Sequence, residues 1–113
     1  METLIKVEKT EEKGILIFEF SGELDETNAD KTFKNIYEQI GDFEDKKIIF
    51  KLTNLKYLNS KSIYIADVFS NIEENDSQMY ISNCTDVKDI LELVITQIIP
   101  TVDDVSEAIS AMS

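Results

Sequence analysis

Lys47-Ile48-Ile49-Phe50-Lys51-Leu52-Thr53-Asn54-Leu55-Lys56-Tyr57-Leu58-Asn59-Ser60-Lys61-Ser62-Ile63 is the stretch that decides the fold. Its opening, Lys47 to Leu52, reads as a β-strand. Ile48, Ile49 and Phe50 follow one another without alternation, the pattern of a strand buried on both faces. Thr53 to Asn59 reads as a loop. From about Ser62 to Ile72 apolar residues recur at helical spacing, with Ile65, Phe69 and Ile72 on one side and Ile63 and Ala66 flanking them.

Upstream, Thr3 to Val7 is a short strand pattern, followed by the charged run Glu8 to Lys13 and Gly14. Ile15-Leu16-Ile17-Phe18-Glu19-Phe20 is a stronger strand, β-branched and aromatic. A turn around Glu11–Gly14 makes these two an antiparallel hairpin. Ser21-Gly22-Glu23-Leu24-Asp25 reads as a loop. Thr27-Asn28-Ala29-Asp30 resembles a capping box with Asp in place of Glu. Ala29, Phe33, Ile36, Tyr37 and Ile40 then mark one apolar helix face, which Gly41 is placed to end.

Downstream, Gln78 to Ile81 is a fourth strand, and Val87, Ile90, Leu91 and Val94 mark a third helix. Ile98 to Val102 is a fifth strand whose Pro100 points to an edge or a strand end. Val105, Ala108, Ile109 and Met112 form a short C-terminal helix. The order β-β-α-β-α-β-α-β-α predicts an α/β fold, with a mixed, mostly parallel five-stranded sheet and about four helices. With 113 residues, one proline and three glycines, no linker divides the chain, and residues 1–113 read as a single domain.

The composition excludes several functions. Acids number 23 against 11 bases, a net charge of −12, and every base is a lysine. Without histidine there is no Ser–His–Asp or Cys–His pair and no His-ligated zinc. Without arginine there is no planar fork for bidentate grip on phosphate or carboxylate. The acidic balance disfavours nucleic acid and anionic lipid as direct partners. The single cysteine, Cys84, cannot form an internal disulfide and reads as structural, in keeping with a reducing compartment. METLIKVEKTEEKG has no signal-peptide core, and no apolar run is long enough to span a membrane. The expectation is a cytoplasmic protein.

The polar cluster between Leu52 and Ile63 falls at a helix N-terminus, where backbone N–H groups lack partners. An anionic group is favoured there by those donors and by the helix dipole. A phosphorylated serine at this point is stabilised locally while it adds up to about two negative charges to a surface. From spacing alone, the same residues read first as ordinary capping, with Asn59, Ser60 or Ser62 as the N-cap.

Four segments in order resemble the STAS domain family of bacterial anti-sigma factor antagonists. Ser21-Gly22-Glu23-Leu24-Asp25 resembles the family's G-E-L-D loop. Leu52 to Ile63 matches the length and apolar pattern of its D-L-S-x-V-x-F-[IM]-D-S-[ST]-G-L segment. Val87-Lys88-Asp89-Ile90-Leu91-Glu92-Leu93 resembles V-x-x-x-L-E-L, and Pro100 with Asp103-Asp104-Val105-Ser106-Glu107-Ala108-Ile109 resembles P…D-x-V-E-E-A-L. The resemblance runs from about Lys13 to Ile109. It implies a domain that binds an anti-sigma factor, usually a serine kinase, and is released when that kinase phosphorylates a serine. By position the phosphoacceptor is Ser60. Gly22, Glu23, Leu24, Asp25, Asn59, Lys61, Ser62 and Tyr64 are then the partner-binding residues. The sequence departs from the pattern: Asn59 replaces the motif's aspartate, Lys61 its second hydroxyl residue, Ser62 its glycine, and Lys51 the strand aspartate. A side chain at position 62 occupies space that glycine leaves to a partner's backbone.

Three further groups have bland alternatives. Glu23 and Asp25 read either as a partner-binding loop or as a solvated turn beside a helix start. Glu73, Glu74 and Asp76 lack the spacing and glycine of a calcium loop and read as a solvated loop. Tyr57, Tyr64 and Tyr80 read as half-buried, with Tyr64 the one expected to be partly exposed near Ser60. The reading is therefore a regulatory protein-binding domain, not an enzyme, with no metal and no cofactor. Its expected partner is an anti-sigma factor serine kinase or another regulatory protein, and a weak homodimer is left open. The alternative is a scaffold or adaptor subunit of a larger assembly that acts without phosphorylation.

Overall fold

The computed structural model describes residues 4–58, 63–83, 87–89, 91 and 99–112. A hairpin opens the chain: β1 (Ile5–Glu12) pairs antiparallel with β2 (Ile15–Leu24). Lys13 and Gly14 form the turn with φ of 52° and 78°. Two consecutive left-handed residues match the twist of the flanking strands. Helix α1 (Ala29–Ile40) follows, then β3 (Lys47–Leu58), α2 (Ile63–Glu74), β4 (Gln78–Ser82), β5 (Thr101–Val102) and α3 (Val105–Met112). The sheet order is β1-β2-β3-β4-β5, with every pairing after the hairpin parallel.

The expected α/β architecture and the mixed five-stranded sheet are found. Of the expected third helix, Val87 and Leu91 are buried, and Lys88, Asp89 and Leu91 are helical. Ile90, residues 92–98 and Cys84 lie outside the described residues. β5 is shorter than expected and starts after Pro100, whose carbonyl accepts the Ile81 N–H at 2.9 Å. It occupies the sheet edge, as its proline suggests.

Each sheet face has its own core. On one face Phe18, Phe20, Ile48, Phe50 and Leu52 pack against α1 through Phe33, Ile36 and Ile40, and against α2 through Ile65, Val68, Phe69 and Ile72. Phe50 is the hub, with ring centroids 5.8 Å from Phe18, 5.2 Å from Phe20 and 6.5 Å from Phe33. On the other face Ile15, Ile17 and Ile49 are covered by Ala108, Ile109 and Met112 of α3. Ile48, Ile49 and Phe50 are all fully buried, as their unbroken apolar run predicts. Gly41 ends α1 with φ 74°, its N–H returning to the Tyr37 carbonyl at 3.0 Å. Asp104 Oδ1 accepts the Glu107 N–H at 3.0 Å and caps α3.

Three expectations are corrected. Ser21 to Leu24 and Thr53 to Leu58 are strand, not loop. The β2–β3 ladder stays in register only because β3 carries two extra residues. Glu19 faces Lys51 and Ser21 faces Asn54; Gly22 faces Leu55 and Glu23 faces Tyr57. Each bulge adds one residue to β3, so Leu52 and Leu55, three apart, both reach the core. Glu73 and Glu74 belong to the exposed last turn of α2, and only Asp76 of that trio lies in the turn beyond it.

Candidate functional site

β2 and β3 run parallel and end together, with Leu24 opposite Leu58. The turn Asp25–Asn28 and the last residue of β3, Leu58, therefore lie at one end of the sheet. Asn59, Ser60, Lys61 and Ser62 lie outside the described residues. The described residues on either side of them include two exposed apolar side chains, Tyr57 at 41% and Ile63 at 46%. The sequence predicts a half-buried Tyr57. The bulged register instead places it opposite Glu23 at the solvent-exposed end of the ladder. The β1 end of the same row carries Leu4, 86% exposed, whose carbonyl accepts the Glu23 N–H at 3.1 Å.

The Gly22–Asp25 residues divide into framework and surface. Leu24 is fully buried in the core, so its side chain faces inward. Gly22 has φ +108°, and a Cβ there would meet the Leu4 carbonyl oxygen at 2.5 Å. Glycine is thus required by the crossing of β1, a reason internal to the fold. Glu23 is exposed and Asp25 half-buried.

Asp25 organises the turn that follows. Its Oδ1 accepts the Thr27 N–H at 2.8 Å and the Thr27 hydroxyl at 2.6 Å. Asn28 is 2% exposed; its Nδ2 donates to the Glu23 carbonyl at 2.8 Å and its Oδ1 accepts the Asp25 N–H at 3.1 Å. The capping-box expectation is corrected here. Asn28, not Thr27, is the N-cap, and its side chain makes no cap bond because both ends of its amide serve the strand exit. Asp30 reaches across to the next helix, where its carboxylate accepts a hydrogen bond from the Tyr64 hydroxyl. Tyr64 is half-buried, as expected, and stacks on Phe33 at 5.4 Å. The bond to Asp30, then burial and the nearby charges of Asp30 and Asp67, raise the Tyr64 pKa above its ordinary value. The first turn of α2 is so fixed against α1.

Asn28, Tyr57, Ile63 and Leu4 are not among the expected site residues. Asn28 carries a signal, an amide directly before a helix start. Leu4, Tyr57 and Ile63 carry none, because exposed apolar residues look like core in a sequence. Lys51, where the resembling pattern has an aspartate, pairs across the ladder with Glu19 at 3.0 Å. It lies on the sheet face that α3 covers. Among the described residues no group of three or more carboxylates or thiols is arranged to hold a metal ion, and no helix is long and apolar enough to cross a membrane.

A family model of the STAS domain matches residues 6–108. The chain belongs to the STAS domain family. Among curated proteins none matches it in sequence. Solved STAS-like structures superpose over most of its length. An anti-sigma factor antagonist from Mycobacterium paratuberculosis has a TM-score of 0.75 at 13% identity, covering 96% of this chain and 93% of that one. An anti-sigma-factor antagonist (STAS) domain protein from Planctomyces limnophilus has 0.72 at 17% identity, covering 95% and 97%. The STAS domain of an antisigma-factor antagonist from Rhodobacter sphaeroides has 0.57 at 11% identity, covering 74% and 90%. At such identities the likeness is one of fold.

Proposed function

We propose that this STAS domain is an anti-sigma factor antagonist. In this reading it binds an anti-sigma factor serine kinase through the end of the sheet where β2 and β3 stop together, and phosphorylation of Ser60 ends the binding. The observation that carries the reading is the pairing of Leu24 with Leu58, which brings the Asp25–Asn28 turn and the strand leading to Ser60 to one end of the sheet. Exposed Tyr57 and Ile63 supply apolar contact area, and Glu23 and Asp25 supply charge. Aromatic anchors with a polar rim suit a protein interface. In this reading Gly22, Glu23, Asp25, Asn59, Lys61, Ser62 and Tyr64 are the partner-binding residues, and the buried Leu24 supports them from the core. Phosphate on Ser60 puts charge into a contact that closes over it, and an unpaired buried charge opposes binding strongly. The protein acts by binding rather than by catalysis, in the cytoplasm.

The test is calorimetric binding of wild type, Ser60→Ala and Ser60→Asp to the anti-sigma kinase, with intact mass after incubation with ATP. Wild type gains one phosphoryl group and Ser60→Ala none. Ser60→Ala binds like wild type, and Ser60→Asp binds more than about tenfold weaker. Equal affinities with no phosphate on wild type instead support the adaptor reading. Lys61 and Ser62, in place of a hydroxyl residue and a glycine, favour that second reading.

A further inference from the structure

β1 is an outer strand of the sheet, eight residues long, while the opposite edge is the two-residue β5. In an antiparallel ladder, residues alternate between those that bond to the neighbour and those whose N–H and C=O point away from it. The Glu23 N–H bonds to the Leu4 carbonyl, and Glu12 faces Ile15 across the two-residue turn. Even-numbered residues of β1 therefore bond to β2, and Ile5, Val7, Lys9 and Glu11 direct their backbone groups outward. Among the described residues nothing pairs with the outer edge of β1, and a free edge of this length is a template for another strand unless its side chains forbid it.

The side chains of β1 discriminate sharply among registers. A two-fold axis normal to the sheet pairs outward residues with outward residues. The register centred on Lys6 sets Lys6 against Lys6, that on Glu8 sets Glu8 against Glu8, and that on Lys9 sets Lys9 against Lys9. The register centred on Thr10 sets Glu8 against Glu12. Centred on Val7, the strands place Val7 on Val7, Ile5 on Lys9, Leu4 on Thr10, and Lys6 on Glu8 twice. Among residues 4–10, which face one another in this register, no like charges are opposed. Lys6 and Glu8 already form an ion pair within the chain at 2.5 Å. Two copies in this register close a square of alternating charges. Leu4, 86% exposed, is covered by the second copy's strand.

We propose that two copies of this chain associate through antiparallel β1–β1 pairing about a two-fold axis at Val7, extending the sheet across both. Each copy carries −12, so the association is weak and strengthens as salt screens the net repulsion.

Sedimentation over a concentration series, at low and at physiological salt, tests it with the full chain. Wild type shows a monomer–dimer equilibrium that shifts toward dimer with salt. Lys6→Glu or Glu8→Lys alone puts like charges opposite each other twice and weakens association by about tenfold. The double exchange Lys6→Glu/Glu8→Lys recovers it to within about threefold, because the pairs are restored with reversed sign. Lys9→Pro abolishes association while leaving the hairpin, because the N–H it removes points away from β2. A wild type that stays monomeric into the millimolar range overturns the proposal. So does a dimer whose affinity ignores the charge exchange, and the exchange still decides if Lys9→Pro does not fold.

Discussion

The carbonyl oxygen of Leu4 lies 2.5 Å from where a Cβ on Gly22 would stand. β1 crosses that point because Gly22 has no side chain. Its φ of +108° is a second barrier to substitution. Gly22→Ala therefore meets backbone and strain together, and we expect a loss of about 1–3 kcal/mol in urea denaturation. Gly14 is the control. It also has positive φ but nothing within 4 Å of a Cβ, so Gly14→Asn is expected to cost less than about 1 kcal/mol.

Phe50→Ala removes the ring at the centre of the aromatic cluster formed with Phe18, Phe20 and Phe33. The position is fully buried between the sheet and the α1 layer. The expected loss is roughly 3–5 kcal/mol by denaturant unfolding. A loss below about 1 kcal/mol contradicts a rigid core at this point.

Asn28→Ala leaves the Glu23 carbonyl and the Asp25 N–H without their amide partner. The expected cost is about 1–3 kcal/mol. Asn28→Asp keeps an acceptor for the Asp25 N–H but sets a carboxylate against the Glu23 carbonyl. It is therefore expected to be less stable than wild type at neutral pH and to recover part of the difference as acid protonates it. Melts of the three proteins at several pH values check both statements.

Tyr64 provides a titration test. The hydrogen bond to Asp30 holds its folded pKa above the ordinary tyrosine value. A raised pKa means that the folded state keeps the proton longer than the unfolded chain. The contribution is complete at neutral pH and is lost as pH rises through the folded value. An ultraviolet difference titration of wild type against Tyr64→Phe isolates this group from the other tyrosines. It should show an ionisation above the ordinary value that moves down in Asp30→Asn.

The layers of this fold are legible in the sequence, and the ends of its strands are not. Ile48-Ile49-Phe50 announces a strand buried on both faces, and the spacing from Phe33 to Ile40 announces α1, because burial period and backbone period coincide in both. Leu52 and Leu55 stand three apart, a spacing that breaks the two-residue alternation of a plain strand, and so their segment reads as loop. The bulges that reconcile that spacing exist only in the pairing with β2. Similarly, Gly22 looks like a loop glycine because the Leu4 carbonyl that requires it is distant in sequence. The amide of Asn28 before a helix start is a visible signal, but the bond by which Thr27 serves Asp25 instead of the helix forms only in the folded turn.

The bulges in β3 also bear on which insertions and deletions this chain can absorb. An ordinary strand cannot lose one residue without turning every later side chain to the opposite face. Here Glu19 faces Lys51 while Ser21 faces Asn54, so β3 holds one residue more than β2 over the same span. Removing Thr53 makes the two strands equal over that span, keeps Gly22 opposite Leu55, and leaves everything beyond, including the second bulge, in register. The same excision from β2, at Phe20 for instance, would double the mismatch. Length variation at this end of the sheet is thus a one-sided freedom: β3 can shorten toward its neighbour, and β2 cannot.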